Sequence, residues 1–178
     1  MSSSSSSFPL FSRSILSKDV EVKMTELNDL FQDNVLGVSL EDYEALLHTH
    51  VVNKIKKTVE GKCVEDGYVK KDSVALLSLS CGVCHADKMK YTASYECLIC
   101  LPVEGMQIRC VVVSNSTGGV RAVIKGEEVT PIVAFVSRDL PCDKDLSEYQ
   151  EGDTFVAEVY GVKYELNDTF ISVLAMPI

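Results

Sequence analysis

Pro102 constrains this chain more than any other residue. The stretch Tyr91–Leu101 (YTASYECLICL) alternates as a strand does. The proline then removes a backbone donor and fixes φ, so a sheet ladder cannot run on through it. Gly105 frees the backbone shortly afterwards, and a second alternating run, Met106–Ser114, starts at once. The turn sequence Asn115-Ser116-Thr117-Gly118-Gly119 follows, and then a third run, Val120–Ile124. Before the proline the patterns mix helix and strand; beyond it they are strand alone. The proline therefore reads as a boundary between two domains, 8–102 and 103–178, preceded by a serine run over 1–7.

The size suits that division. A chain of 178 residues is long for one small domain and right for two of roughly 75 to 100 residues. With 46% hydrophobic residues it can build real cores. No apolar run approaches the ~18–20 residues that a membrane span needs, which predicts no membrane partner. The N-terminal run is polar and uncharged and lacks the apolar centre of a secretory signal. Seven cysteines, an odd number, then read as thiols in a reducing intracellular compartment. The formal net charge is −9. Residues 1–102 hold 11 Lys and Arg against 14 Asp and Glu, and residues 103–178 hold 6 against 12. The strand-only half is the more acidic, so a tight, sequence-blind grip on nucleic acid is disfavoured; any such role must use a local patch and be weak, or act through a partner.

Taken in order, Phe8–Leu16 and Val20–Met24 alternate as two strands of one sheet, and Leu27, Leu30 and Phe31 mark a short helix within Thr25–Leu36. Ser39 can cap a helix whose first turn carries Glu41, Asp42 and Glu44. Leu40, Tyr43, Leu47, Val51, Ile55 and Val59 recur at three- and four-residue steps, with lysines in the last turns and Gly61 to stop. The spacing predicts a helix over Leu40–Val59, lying across one face of the sheet. Gly67–Lys70 and Ser73–Leu79 read as strands, and Ser80–Lys90 as a loop. Beyond the boundary, Thr130–Ser137 is a strand, Arg138–Gly152 an acidic connection, and Thr154–Tyr164 with Thr169–Met176 a hairpin turning at Leu166-Asn167-Asp168. Five strands with a long connection before the fourth fit a closed barrel of the OB type. The fold class expected is α+β: a helix on an antiparallel sheet, joined to a five-stranded OB-type β-barrel.

Cys81-Gly-Val-Cys84 and Cys97-Leu-Ile-Cys100 form a paired C-x2-C pattern of the sort that holds tetrahedral zinc. Strand register opposes it: Cys97 shares a face with Tyr95 and Ile99, and Cys100 takes the other face. Thiols without metal are the preferred reading, with Cys81, Cys84, Cys97 and Cys100 as the candidate ligands should zinc bind. Cys81–His85 also matches a haem-attachment pattern, but that chemistry goes with export. Cys84 beside His85 makes a poor catalytic pair, because neighbours rarely aim at one substrate atom. His48 and His50 lie two apart on the helix, on different faces. Gly118-Gly119 reads as a tight turn and not a phosphate loop, and the spacing of Asp139–Asp153 fits no hand-type calcium loop.

The order of these segments resembles the stalk subunit of multisubunit DNA-dependent RNA polymerase, the seventh subunit of the eukaryotic enzyme and its archaeal counterpart. The matching stretches are Val59-Glu60-Gly61-Lys62-Cys63, Gly67-Tyr68-Val69, Tyr95–Gly105 (YECLICLPVEG), Val111–Ile124 (VVVSNSTGGVRAVI), Phe135-Val136-Ser137-Arg138 and Tyr160–Ile171 (YGVKYELNDTFI). The cysteine-bearing strand and compact middle loop look more like the version encoded by large cytoplasmic DNA viruses. The resemblance implies a tip domain docking on the polymerase core near its clamp and a barrel placed near nascent RNA. It implies core subunits as partners, a second stalk subunit beside this one, no catalytic residues, no cofactor, and a location in host cytoplasm or virion if viral, in the nucleus if cellular. The RNA-facing candidates are Arg121, Lys125, Arg138 and Lys163. The chain departs from a typical single-strand binder in its acidic barrel and in the second barrel strand, Val120–Ile124, which has no aromatic. A free-standing single-strand RNA-binding adaptor is the alternative, and a small zinc- or thiol-dependent enzyme the third reading.

Overall fold

The computed structural model describes residues 10–32, 39–124, 131–139 and 145–178. The chain divides into two compact units. One comprises Arg13–Glu60 and Val69–Leu98; the other comprises Gly61–Tyr68 and Ile99–Ile178, with residues 10–12 of the N-terminal stretch. The barrel's unit is thus wider than 103–178.

The first unit opens with one strand where the sequence suggested two. β1 runs through Ser12–Lys23 without a break, because its polar middle is tied laterally: Ser17 Oγ lies 3.2 Å from Ser94 Oγ, and Asp19 accepts from Thr92 Oγ1 at 2.8 Å. Two helices follow, α1 at Met24–Gln32 and α2 at Leu40–Val59. The second has the expected bounds. Ser39 and Asp42 cap it reciprocally: the Asp42 N–H donates to Ser39 Oγ at 3.3 Å, and the Ser39 N–H donates to Asp42 Oδ2 at 3.0 Å. Val51, Ile55 and Val59 are buried, whereas Tyr43 and Leu47, higher on the same stripe, are half-buried. Tyr43 instead meets Phe31 of α1 edge-on, with ring centroids 5.1 Å apart. Lys54 donates to the Glu21 backbone carbonyl at 3.0 Å, which fixes α2 against β1.

Short strands β2 (Cys63–Val64) and β3 (Gly67–Val69) form a hairpin. β4 (Ala75–Leu79) and β5 (Val83–His85) both pair antiparallel with the long β6 (Lys88–Cys100). The path of the sheet is β1-β6-β3-β2. Ser80–Lys90, expected as a loop, is therefore largely a tight hairpin, reversed at Ala86, which takes φ 54°. The hairpin's side chains are mostly exposed, so no apolar alternation marks it in the sequence.

β6 ends at Cys100, and Pro102 lies in the break before β7 (Gln107–Ser116). β8 (Gly119–Ile124), β9 (Ile132–Ser137), β10 (Thr154–Lys163) and β11 (Ile171–Pro177) complete the strands. They close in the order β10-β11-β9-β8-β7. β11 runs parallel to β9; the other four pairings are antiparallel. The result is a closed five-stranded β-barrel. So narrow a barrel leaves little interior, and its inward positions alternate small with branched residues: Cys110, Ala122, Ala134, Ala157 and Ala175 beside Val120, Ile132, Val136, Val159, Ile171 and Val173, all 1% exposed or less. Cys63, Tyr68 and Cys100 join the same buried cluster. The segment that carries Cys63 is laced to the β10–β11 turn. The Cys63 N–H donates to the Asp168 carbonyl at 2.7 Å, the Asn167 N–H to the Cys63 carbonyl at 2.9 Å, and Tyr164 Oη to the Glu65 carbonyl at 2.9 Å.

Candidate nucleic-acid interface

The outer wall of the barrel carries the most suggestive arrangement. In the strand register, Arg121 on β8 stands across from Phe135 on β9. Phe135 stands across from Leu174 on β11, and Leu174 from Gly161 on β10. These four residues form one row, with strands ~4.8 Å apart. A parallel row two positions along reads Val123, Val133, Ser172, Lys163. Arg121 and Lys163 thus sit at diagonal ends of a strip whose centre is an aromatic ring and a leucine. Phe135 remains 39% exposed. A shallow groove of about 350 Å³ runs beside it, lined by Phe135, Gly161, Val162, Lys163, Ser172 and Leu174 among others.

Local structure explains the strip. Ile132, Ala134 and Val136 fill the barrel, so strand alternation turns Phe135 outward. On β10 the register shifts between Val159 and Gly161. Tyr160 is the extra residue of this bulge and is 56% exposed. Gly161 then lies opposite Leu174 with no side chain, leaving a slot next to Phe135. A flat apolar ring flanked by cations suits a stacked base with its phosphates on either side. The second barrel strand, Val120–Ile124, has no aromatic; the ring stands one strand over, on β9. The alternation of Ile132, Ala134 and Val136 carried the signal.

The four basic candidates separate. Arg121 and Lys163 are exposed on the strip. Lys125 lies outside the described residues. Arg138 is engaged by its own chain: Nε donates to the Ser116 carbonyl at 3.1 Å, one terminal nitrogen to Ser147 Oγ at 3.1 Å and the other to Asn115 Oδ1 at 2.9 Å. Asn115 in turn donates to the Leu146 and Tyr149 carbonyls at 2.8 and 2.9 Å. Arg138 therefore ties the β7–β8 turn to the 3-10 turn at Leu146–Glu148, within the connection that the sequence suggested was plain acidic loop.

The cysteines differ in burial. Cys97 is buried on the face of Tyr95 and Ile99, and Cys100 is buried in the barrel cluster. Cys81 and Cys84 are exposed. Among the described residues no group of three or more His, Cys, Asp or Glu side chains is placed to hold a metal ion. Burial pushes the Cys110 thiol up to about 12 and, helped by the Asp168 charge, the Cys63 thiol up to about 11, so both stay protonated. His50 lies 3.2 Å from the Glu26 carboxylate, which Lys54 also contacts; this cluster joins α1 to α2.

No protein-family model and no curated protein matches the chain.

Proposed function

We propose that this chain is a non-catalytic stalk subunit of a DNA-dependent RNA polymerase, holding an OB-type barrel against single-stranded transcript. The observation that carries the reading is the barrel's outer strip, Arg121 and Phe135 side by side with Lys163 across the groove. It supports the reading by setting an exposed aromatic beside a cation, where the second barrel strand has no aromatic of its own. The strand order, with β9 and β11 parallel, is consistent with an OB-type barrel. The docking role of the helix-bearing unit rests on the order of the motifs that resemble the stalk family. The protein then acts by position, and the local strip offsets a net-acidic surface because contact is made at high effective concentration beside the exit path. Affinity capture from native extract, read by mass, tests it: the largest polymerase subunits should be recovered with the chain.

The strip also favours a second reading, a free-standing single-strand RNA adaptor, since stacking needs no polymerase. A titration without partners separates the two. Micromolar or tighter binding at physiological salt by the isolated chain favours the adaptor; weak binding that vanishes as salt rises favours the subunit.

A further inference from the structure

Among the described residues the thiols fall into two chemical classes, and only one can react readily; Cys142 lies outside them. Cys63, Cys97, Cys100 and Cys110 are each 2% exposed or less. Cys81, in the β4–β5 connection, and Cys84, on β5, are exposed and three positions apart at the sheet edge. We propose that Cys81 and Cys84 are a reversible oxidation site, a dithiol that a low-molecular-weight disulfide such as oxidised glutathione converts to an intrachain disulfide.

The backbone favours closure. Residues three apart on a plain strand are about 10 Å apart, beyond the roughly 7 Å between Cα atoms that a disulfide spans. This edge is not a plain strand. Leu79 pairs with Ala93 and Val83 with Lys90, so the edge takes four steps where β6 takes three. The extra residue forms a bulge that draws Cys81 toward Cys84. Ser80 anchors the near side, its N–H donating to the Thr92 carbonyl at 2.9 Å and its Oγ accepting from the Thr92 N–H at 2.8 Å. Gly82 packs so closely on Met89 and Tyr91 that a Cβ would lie 2.6 and 2.8 Å from their side-chain atoms. Val83 is 64% exposed. Gly82 has no side chain to stand between the two cysteines, and Cys84 Sγ, 3.9 Å from the Ala86 carbonyl oxygen, is held by that weak contact. β5 has β6 as its paired neighbour, and the hairpin can tighten without disturbing another strand on that side.

The chemistry balances with the oxidant named. One cysteine thiolate attacks a sulfur of oxidised glutathione, forming a mixed disulfide and releasing one glutathione thiolate. The second cysteine, as thiolate, attacks the protein sulfur of that mixed disulfide and releases the second. The chain loses two thiol protons and two electrons, and the oxidant becomes two glutathione molecules. Excess dithiol reductant reverses both steps.

The experiment treats the folded chain with oxidised glutathione, traps remaining thiols by alkylation and maps products by digestion and mass. The expected result is a Cys81–Cys84 disulfide, with Cys63, Cys97, Cys100 and Cys110 alkylated only after denaturation. Cys84→Ser should leave a stable glutathione adduct on Cys81. Persistent mixed disulfides at Cys81 or Cys84 of the unaltered chain, a bond from either to a second chain or to another cysteine, or no adduct at Cys81 of the Cys84→Ser variant would overturn the assignment.

Discussion

Arg121 and Phe135 are cross-strand partners on the outer wall of the barrel, one cationic and one aromatic, both exposed. Strand alternation makes the pair: the residues on either side of each are buried inside. A single-stranded nucleic acid offers the two groups this pair would recognise, a base face and a phosphate.

Removing the ring should therefore cost stacking. Phe135→Ala is expected to weaken single-stranded RNA binding by roughly 5- to 150-fold, from about 1–3 kcal/mol per stacked base. Arg121→Gln should lower the slope of log affinity against log salt by about 0.7, the loss of one phosphate contact on a single strand. Arg109, exposed on β7 and outside both rows, is the control; Arg109→Gln should leave affinity unchanged. Equal effects from all three would remove the strip as the binding surface.

Arg138 should behave differently. Its three acceptors belong to the end of β7 and to the 3-10 turn, so Arg138→Ala is expected to lower barrel stability by about 1–2 kcal/mol. Arg138→Lys should not restore it, since one ammonium cannot bridge acceptors that the planar guanidinium spans. Chemical denaturation measures this, and an RNA-affinity loss larger than that of Arg121→Gln would contradict the structural role.

Gly119 tests the packing of the β7–β8 turn. Its φ is +148°, and a Cβ would lie 2.2 Å from the Val136 carbonyl oxygen. Gly119→Ala should cost about 3 kcal/mol or more, because backbone must shift. Gly105 also has positive φ, +81°, but open space around it. Gly105→Ala should cost only about 1 kcal/mol. Equal denaturation midpoints for the two variants would contradict the close approach.

Carboxylates paired with lysines in the helix-bearing unit contribute to the acid limb of stability. Hydrogen bonding to Lys90 holds Asp19 below its ordinary value of 3.8, Lys88 does the same for Glu21 below 4.5, and Lys54 for Glu26 below 4.5. A carboxylate with a depressed folded-state pKa stabilises above its unfolded value, and that contribution is lost as pH falls through the folded value. Thermal melts should accordingly decline on acidification below about pH 4.5. The drop is shallow because the pairs are exposed, and high salt should reduce it. Glu21→Gln with Glu26→Gln should flatten this limb; an unchanged limb would place the acid-sensitive groups elsewhere.

Much of the architecture was legible before any coordinates. The Leu40–Val59 helix showed itself through cap, stripe and glycine stop, and the five barrel strands through alternation between turn residues, because those signals are local. The edge hairpin Val83–Lys90 was missed because its side chains are mostly exposed, so no apolar period marks it. Cys63 and Tyr68 could not be assigned to the barrel core from sequence, since their place depends on hydrogen bonds to a turn about a hundred residues away. Of the basic candidates, Arg138 looked like the others because a charge does not announce which acceptors it meets. Phe135 was within reach, had the outward face of the third barrel strand been read beside that of the second.

The central claim, action by placement within a transcribing complex, is tested most directly by gel filtration of native extract with this chain followed by mass. The account predicts co-elution with the large polymerase subunits and with RNA-synthesising activity. Elution wholly at the size of the isolated chain, with no polymerase subunit in those fractions, would contradict it.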